Sequence, residues 1–153
     1  MRPGRLLRAL RHPITGALCR LFLGGVFIYT GVPKLLHPAE FARLASGYRI
    51  IHPELVNLFG ITMPWVEALA GVLLVIGILP RSSALVIAGL LAMFIAGAFL
   101  ALVRGLHISC GCFFPLLGED RLTWKLVIRD SIMLTIACQP LIWPSSFIPR
   151  RRE

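Results

Sequence analysis

The chain has 153 residues, 57% of them apolar and only 15% charged, with a formal net charge of +9. A mean hydropathy of +0.81 lies far from the averages of water-soluble domains and points to a protein whose solvent is lipid. Seven of the sixteen basic residues gather at the two ends of the chain, flanking apolar stretches. Membrane topology therefore accounts for the positive charge, and a nucleic-acid partner is set aside.

The elements follow in chain order. Residues 1–16 form a basic arm with Arg2, Arg5, Arg8 and Arg11. The apolar stretch behind it is too long for a cleavable signal peptide, and no clear small-x-small site follows. A first span over residues 17–36 is expected, closed by Pro33, Lys34 and His37-Pro38; roughly 20 helical residues suffice to cross a hydrocarbon core of about 30 Å. Within residues 38–50, Phe41, Leu44, Ala45 and Tyr48 recur at helical spacing. That pattern fits an amphipathic helix lying on the outer interface, or a solvated linker helix.

The second span is expected over residues 62–79, with Pro64 near its first turn, where a missing N–H costs nothing. Pro80-Arg81-Ser82-Ser83 makes a turn, so a third span over residues 83–103 runs antiparallel as a helical hairpin. In it Ala84, Ala88, Ala92 and Ala96 repeat every fourth residue beside Gly89 and Gly97, a pattern for close helix packing. The fourth span, residues 122–143, is the least apolar and contains Arg129 and Asp130; residues 144–153 form a basic tail with Arg150, Arg151 and Arg152.

The fold class is therefore all-α, an integral membrane four-helix bundle spanning residues 17–143. Arg81 in the second loop shares the basic character of both ends, so the N- and C-termini are expected on the cytoplasmic side of a bacterial inner membrane. The segments 35–61 and 104–121 then face the periplasm. Trp65, Trp124 and Trp143, with the loop aromatics Phe113 and Phe114, read as interfacial anchors.

Chemistry concentrates in the segment His107-Ile108-Ser109-Cys110-Gly111-Cys112. Two thiols one glycine apart close a disulfide only in a tight ring, which Gly111 permits, and strain makes such a bond exchange-competent. Three readings stay open. The pair is a redox dithiol in an oxidising compartment, with His107 able to lower a thiol pKa. It is a purely structural disulfide. Or Cys110, Cys112 and His107 ligate a metal with Glu119 or Asp120. Cys19 and Cys138, toward the other ends of their spans, read as small apolar fillers.

The expected topology also brings Lys34, Glu67, Arg129 and Asp130 to similar depth. Two cations and two anions at one level in hydrocarbon suggest a paired cluster facing the interior. Its readings are a polar floor that positions thiols, relays protons or holds a quinone headgroup, and salt bridges that lock helices together. Lys34 alone is expected to snorkel to the interface.

Three motifs carry a family resemblance. Gly25, Gly31, Val32, Pro33, Lys34 and Leu35 close the first span; Pro64-Trp65-Val66-Glu67-Ala68-Leu69-Ala70-Gly71 opens the second; Ile108-Ser109-Cys110-Gly111-Cys112-Phe113 follows the third. Over residues 17–137 this resembles the MauE branch of the DoxX-like membrane proteins. Arg129-Asp130 is similar to that branch's Arg-Asn-like pair with an acid in second place, and Phe114 stands where the family usually has glycine.

The resemblance implies a four-helix inner-membrane protein that helps mature the disulfide-rich small subunit of methylamine dehydrogenase, or performs a related periplasmic thiol task. Its partners would be the bilayer and a periplasmic thiol or disulfide protein, with oligomerisation open. Quinone enters through DoxX-like relatives associated with quinone-linked sulfur oxidation. The alternative class is a non-catalytic membrane anchor or assembly subunit whose Cys110-Cys112 bond pins a loop.

Overall fold

A computed structural model describes residues 13–48, 52–105 and 123–142. Five helices make up nearly all of them: α1 (Pro13–Leu36), α2 (Pro38–Gly47), α3 (Pro53–Ile76), α4 (Pro80–Val103) and α5 (Trp124–Ile142). No strand occurs among the described residues. Helices α2, α3 and α4 each carry a proline in the first turn, Pro38, Pro53 and Pro80, where the fixed φ is already helical and no intrahelical donor is lost.

Three helices, α1, α3 and α4, are long and apolar enough to cross a membrane. At 24 residues each they run roughly 36 Å. The fourth expected span, α5, has Lys125, Arg129 and Asp130 in its first two turns and falls short of the other three in apolarity. Large apolar side chains cover the outside of the molecule, among them Leu18, Leu21, Leu69, Leu85 and Ile132. A surface this apolar is a liability in water and the natural finish in lipid.

Helix α3 departs from the expected second span at both ends. It begins at Pro53, well before residue 62, and Pro64 therefore lies in the helix interior, not in the first turn. The reason is local: Pro53 presets the first turn, and Glu54 complements the positive end of the helix dipole. An interior proline forfeits one backbone hydrogen bond, a loss that membrane helices accommodate through their neighbours. At the other end Gly77 takes a left-handed conformation, φ 78°, and its N–H closes on the Leu73 carbonyl at 2.9 Å. That cap ends α3 three residues before Pro80 can start α4.

Helix α1 packs along α3 and α4 along α5, while α3 meets α4 and α1 meets α5. Leu23, Phe27, Leu74, Ile87, Leu91 and Ala137 fill the interior. The small-residue pattern of α4 plays a smaller part than expected. Ala84 is buried, but Gly89, Ala92 and Ala96 face outward, and a Cβ on Gly89 would meet nothing.

The closest approach lies instead on the α1–α3 seam. A Cβ on Gly24 would come within 2.7 Å of the Gly71 carbonyl oxygen and 2.5 Å of Val75 Cγ2, and one on Gly71 within 2.9 Å of the Gly24 carbonyl. Helix α2 is held similarly, since a Cβ on Gly60 would sit 2.6 Å from that of Ala42. The apolar face of α2 thus neither rests on lipid nor meets solvent: Phe41, Ala42 and Ala45 are buried against the rest of the protein.

Gly24 and Gly25 make a paired test, because a Cβ on Gly25 would touch nothing within 4 Å. Gly24→Ala is expected to cost about 1–3 kcal/mol, the usual penalty of overpacking, and Gly25→Ala to be close to neutral. Thermal unfolding of both variants in one detergent measures this, and equal midpoints would refute the close seam.

Candidate functional site

Lys34 lies in the last turn of α1, where a cation meets the negative end of the helix dipole. Its side chain does not snorkel outward. It turns inward and is only 2% exposed, and Nζ donates to both carboxylate oxygens of Glu67 on α3, at 2.9 Å to Oε1 and 2.8 Å to Oε2. Two aromatic faces complete its surroundings: the Phe41 ring of α2 lies 5.0 Å from Nζ and the Phe94 ring of α4 lies 5.3 Å away. Ring quadrupoles attract a cation at such distances, most strongly where water is excluded. Phe41 is held in turn by stacking on Phe59 of α3, with centroids 6.1 Å apart.

The α5 pair sits beside this centre. Asp130 is buried, and Arg129, its neighbour in sequence, folds back so that Nε donates to Asp130 Oδ1 at 3.0 Å and Nη2 forms an ion pair with the same oxygen at 2.9 Å. Adjacent residues on a helix point in different directions, and the Arg129 side chain accordingly stays 29% exposed while Asp130 turns in. Asp130 also lies within electrostatic reach of Lys34 and of Tyr48, at the end of α2. Tyr48 packs onto a small apolar cluster of Ala98, Ala101 and Leu126. Burial, reinforced by the Asp130 carboxylate, pushes its phenol up to about 12.

Four of the expected site residues thus form two ion pairs, Lys34–Glu67 and Arg129–Asp130, within electrostatic reach of each other, with two positive and two negative charges. Low surrounding polarity strengthens each attraction and raises the cost of stranding any member. A cluster of this kind can lock helices together, hold a polar group or pass protons. The other expected site residues, His107, Cys110 and Cys112, lie outside the described residues, as do Glu119, Asp120, Phe113, Phe114 and Trp143. Trp65 and Trp124 present exposed rings, and Trp124 meets Phe99 edge-on at 6.0 Å. Cys19 and Cys138 are free thiols, and Cys138 is exposed instead of filling the core.

Sequence reasoning passed over Arg20. Although it interrupts the apolar run Leu18-Cys19-Arg20-Leu21-Phe22, its side chain is only 1% exposed. Its guanidinium lies where a side chain at Gly77 would have to go, with Nη1 2.9 Å from that Cβ position. Arg20 therefore sits at the C-terminal end of α3, where backbone carbonyls gather. An isolated cation inside a span was the signal available. Helical spacing places Tyr48 on an apolar face, and nothing in the sequence marks Asp130 of α5 as its electrostatic neighbour.

These features define an all-helical membrane protein with a buried charged centre between its helices. The family model of methylamine utilisation protein MauE matches residues 12–143, and the chain belongs to the MauE family. It is 31% identical over 129 residues to the methylamine utilization protein MauE of Paracoccus denitrificans, covering 84% of this chain and 69% of the relative. It is 29% identical over 139 residues to the protein of that name from Methylorubrum extorquens, covering 90% and 74%. No solved structure matches the chain.

Two measurements test the site. Lys34→Met is expected to destabilise the protein by about 3–5 kcal/mol by stranding a buried carboxylate, and adding Glu67→Met is expected to recover most of that loss. Denaturant titration in detergent reads it, and a double variant no better than the single would remove the ion pair as the cause. For Tyr48, the folded pKa of about 12 lies above the ordinary phenol value of 10.0, so the folded state holds its proton more tightly. Its contribution to stability is complete below the unfolded pKa and declines as pH rises from 10.0 toward about 12. Tyrosinate absorbance in a Tyr29→Phe background checks this, and Asp130→Asn is expected to lower the midpoint.

Proposed function

We propose that this protein is a four-span inner-membrane component of methylamine utilisation that carries out thiol–disulfide exchange with a periplasmic partner. In this reading α5 is the fourth span, completing the DoxX-like bundle expected for residues 17–143, and the basic ends 1–16 and 144–153 lie in the cytoplasm. The observation that carries the reading is the two ion pairs, Lys34–Glu67 and Arg129–Asp130, set toward the end of α1 and the start of α5 and level with the middle of α3. The segment with Cys110 and Cys112 joins the end of α4 to the start of α5 and therefore departs from and returns to that same end. The relatives' name supplies the physiological setting.

The chemistry is an exchange. A partner's thiolate attacks one sulfur of the Cys110–Cys112 disulfide, and the mixed disulfide resolves when the partner's second thiolate displaces it. The partner gains a disulfide, and Cys110 and Cys112 leave as thiols carrying two electrons and two protons. A quinone or a thioredoxin-like protein then takes those electrons. In this reading the buried charges offer carboxylates for the protons, and His107 favours the thiolate.

Trapping with a membrane-impermeable thiol reagent in intact cells tests the proposal. Cys110 and Cys112 are expected to be reachable from outside and to shift between oxidised and reduced states on mild reduction and on quinone depletion. Cys110→Ser with Cys112→Ser is expected to leave the partner's disulfides incomplete. Unchanged partner disulfides and unchanged growth on methylamine in that variant would sink the exchange role, and a pair locked as a disulfide under all conditions would point to the anchor or assembly subunit.

A further inference from the structure

One surface feature has no part in the exchange chemistry. A groove of about 360 Å³ runs along the outer face of α5 against α1, walled by Ile128, Ile132 and Ile136 with Phe22 opposite, and headed by Lys125 and Arg129. Lys125 and Arg129 are four residues apart, so they share a face of the helix. Lys125 is exposed in the first turn of α5, a turn without acidic residues, where the helix dipole is already positive. Arg129 reaches Asp130 on its inner side and forms part of the groove wall on its outer side. The groove wall is almost wholly apolar over about 12 Å of helix rise, and the exposed Lys125 supplies positive charge at its head.

Depth fits this division. Trp124, next to Lys125, is an exposed ring of the kind that settles at the membrane interface, so Lys125 stands at headgroup level, Arg129 lies one turn deeper, and the isoleucines run into hydrocarbon. Positive charge at the interface above an apolar channel matches one chemical class. We propose that the groove between α1 and α5 binds an anionic phospholipid, its phosphodiester held by Lys125 and Arg129 and one acyl chain laid along Ile128, Ile132 and Ile136. The inference rests on α5 lying in the bilayer, as in the four-span reading, and is independent of the thiol chemistry.

The test uses the full chain in nanodiscs of equal parts phosphatidylglycerol and phosphatidylcholine, with retained lipids read by native mass spectrometry. Phosphatidylglycerol is expected to be retained about fivefold more than phosphatidylcholine, the factor that one cation near the membrane surface contributes. Lys125→Ala is expected to abolish most of that preference, and Ile132→Trp, which fills the groove, to lower retention of both lipids. Arg81→Ala, at the opposite end of the molecule, is expected to leave the preference unchanged.

Equal retention of the two lipids, or equal losses in Lys125→Ala and Arg81→Ala, would overturn the site. Displacement of the lipid by inorganic phosphate alone would also overturn it, because the groove would then contribute nothing. Ile132→Cys separates this inference from the topology. If aqueous maleimide does not reach that cysteine while no lipid preference appears, the lipid site fails and the fourth span stands; ready labelling overturns both.

Discussion

The salt bridge between Lys34 and Glu67 is the constraint on which the rest of the arrangement depends. Both side chains are essentially removed from solvent, and a charge in that position survives only if its partner is in place and its remaining surface is covered. Satisfying the pair requires the end of α1 to meet the middle of α3. Covering the ammonium requires one ring from α2 and one from α4. A short connecting helix is thereby drawn inward, and its buried Ala42 reaches Gly60 of α3 at a distance only glycine allows.

The same demand orders the neighbours of the pair. Asp130 adds a second buried carboxylate within reach of Lys34, and Arg129 supplies the compensating charge from the same helix. Tyr48 closes the side toward α5 with a phenol that burial keeps protonated. At the other end of the helices Arg20 is buried against the left-handed cap of α3. Between these two polar levels lies an apolar interior, and the α1–α3 seam is tightened there by Gly24 against Gly71. Hydrophobic burial drives little helix association in lipid, so close backbone approach and satisfied polar groups take over that work.

The Arg129–Asp130 pair lies toward the start of α5, and the groove on that helix begins at the same level. Arg129 belongs to both features, since it binds Asp130 inside and lines the groove outside. Lipid contact and the buried charges are thereby linked through one guanidinium.

Much of the organisation was legible in the sequence. Apolar run lengths located α1, α3 and α4 as helices fit for a membrane, because crossing hydrocarbon imposes a minimum length and composition that no packing detail alters. The same argument put Lys34, Glu67, Arg129 and Asp130 at one depth, since alternating direction converts position along each helix into height. Depth, however, says nothing about azimuth or about who covers whom. Only the packed structure turned Lys34 inward, made Phe41 and Phe94 its lid, set Pro64 inside α3 and faced Gly89, Ala92 and Ala96 of the α4 stripe outward. Those choices depend on how helices rotate and approach one another. Contacts between residues far apart in the chain decide that rotation, and periodicity within a single segment cannot record it.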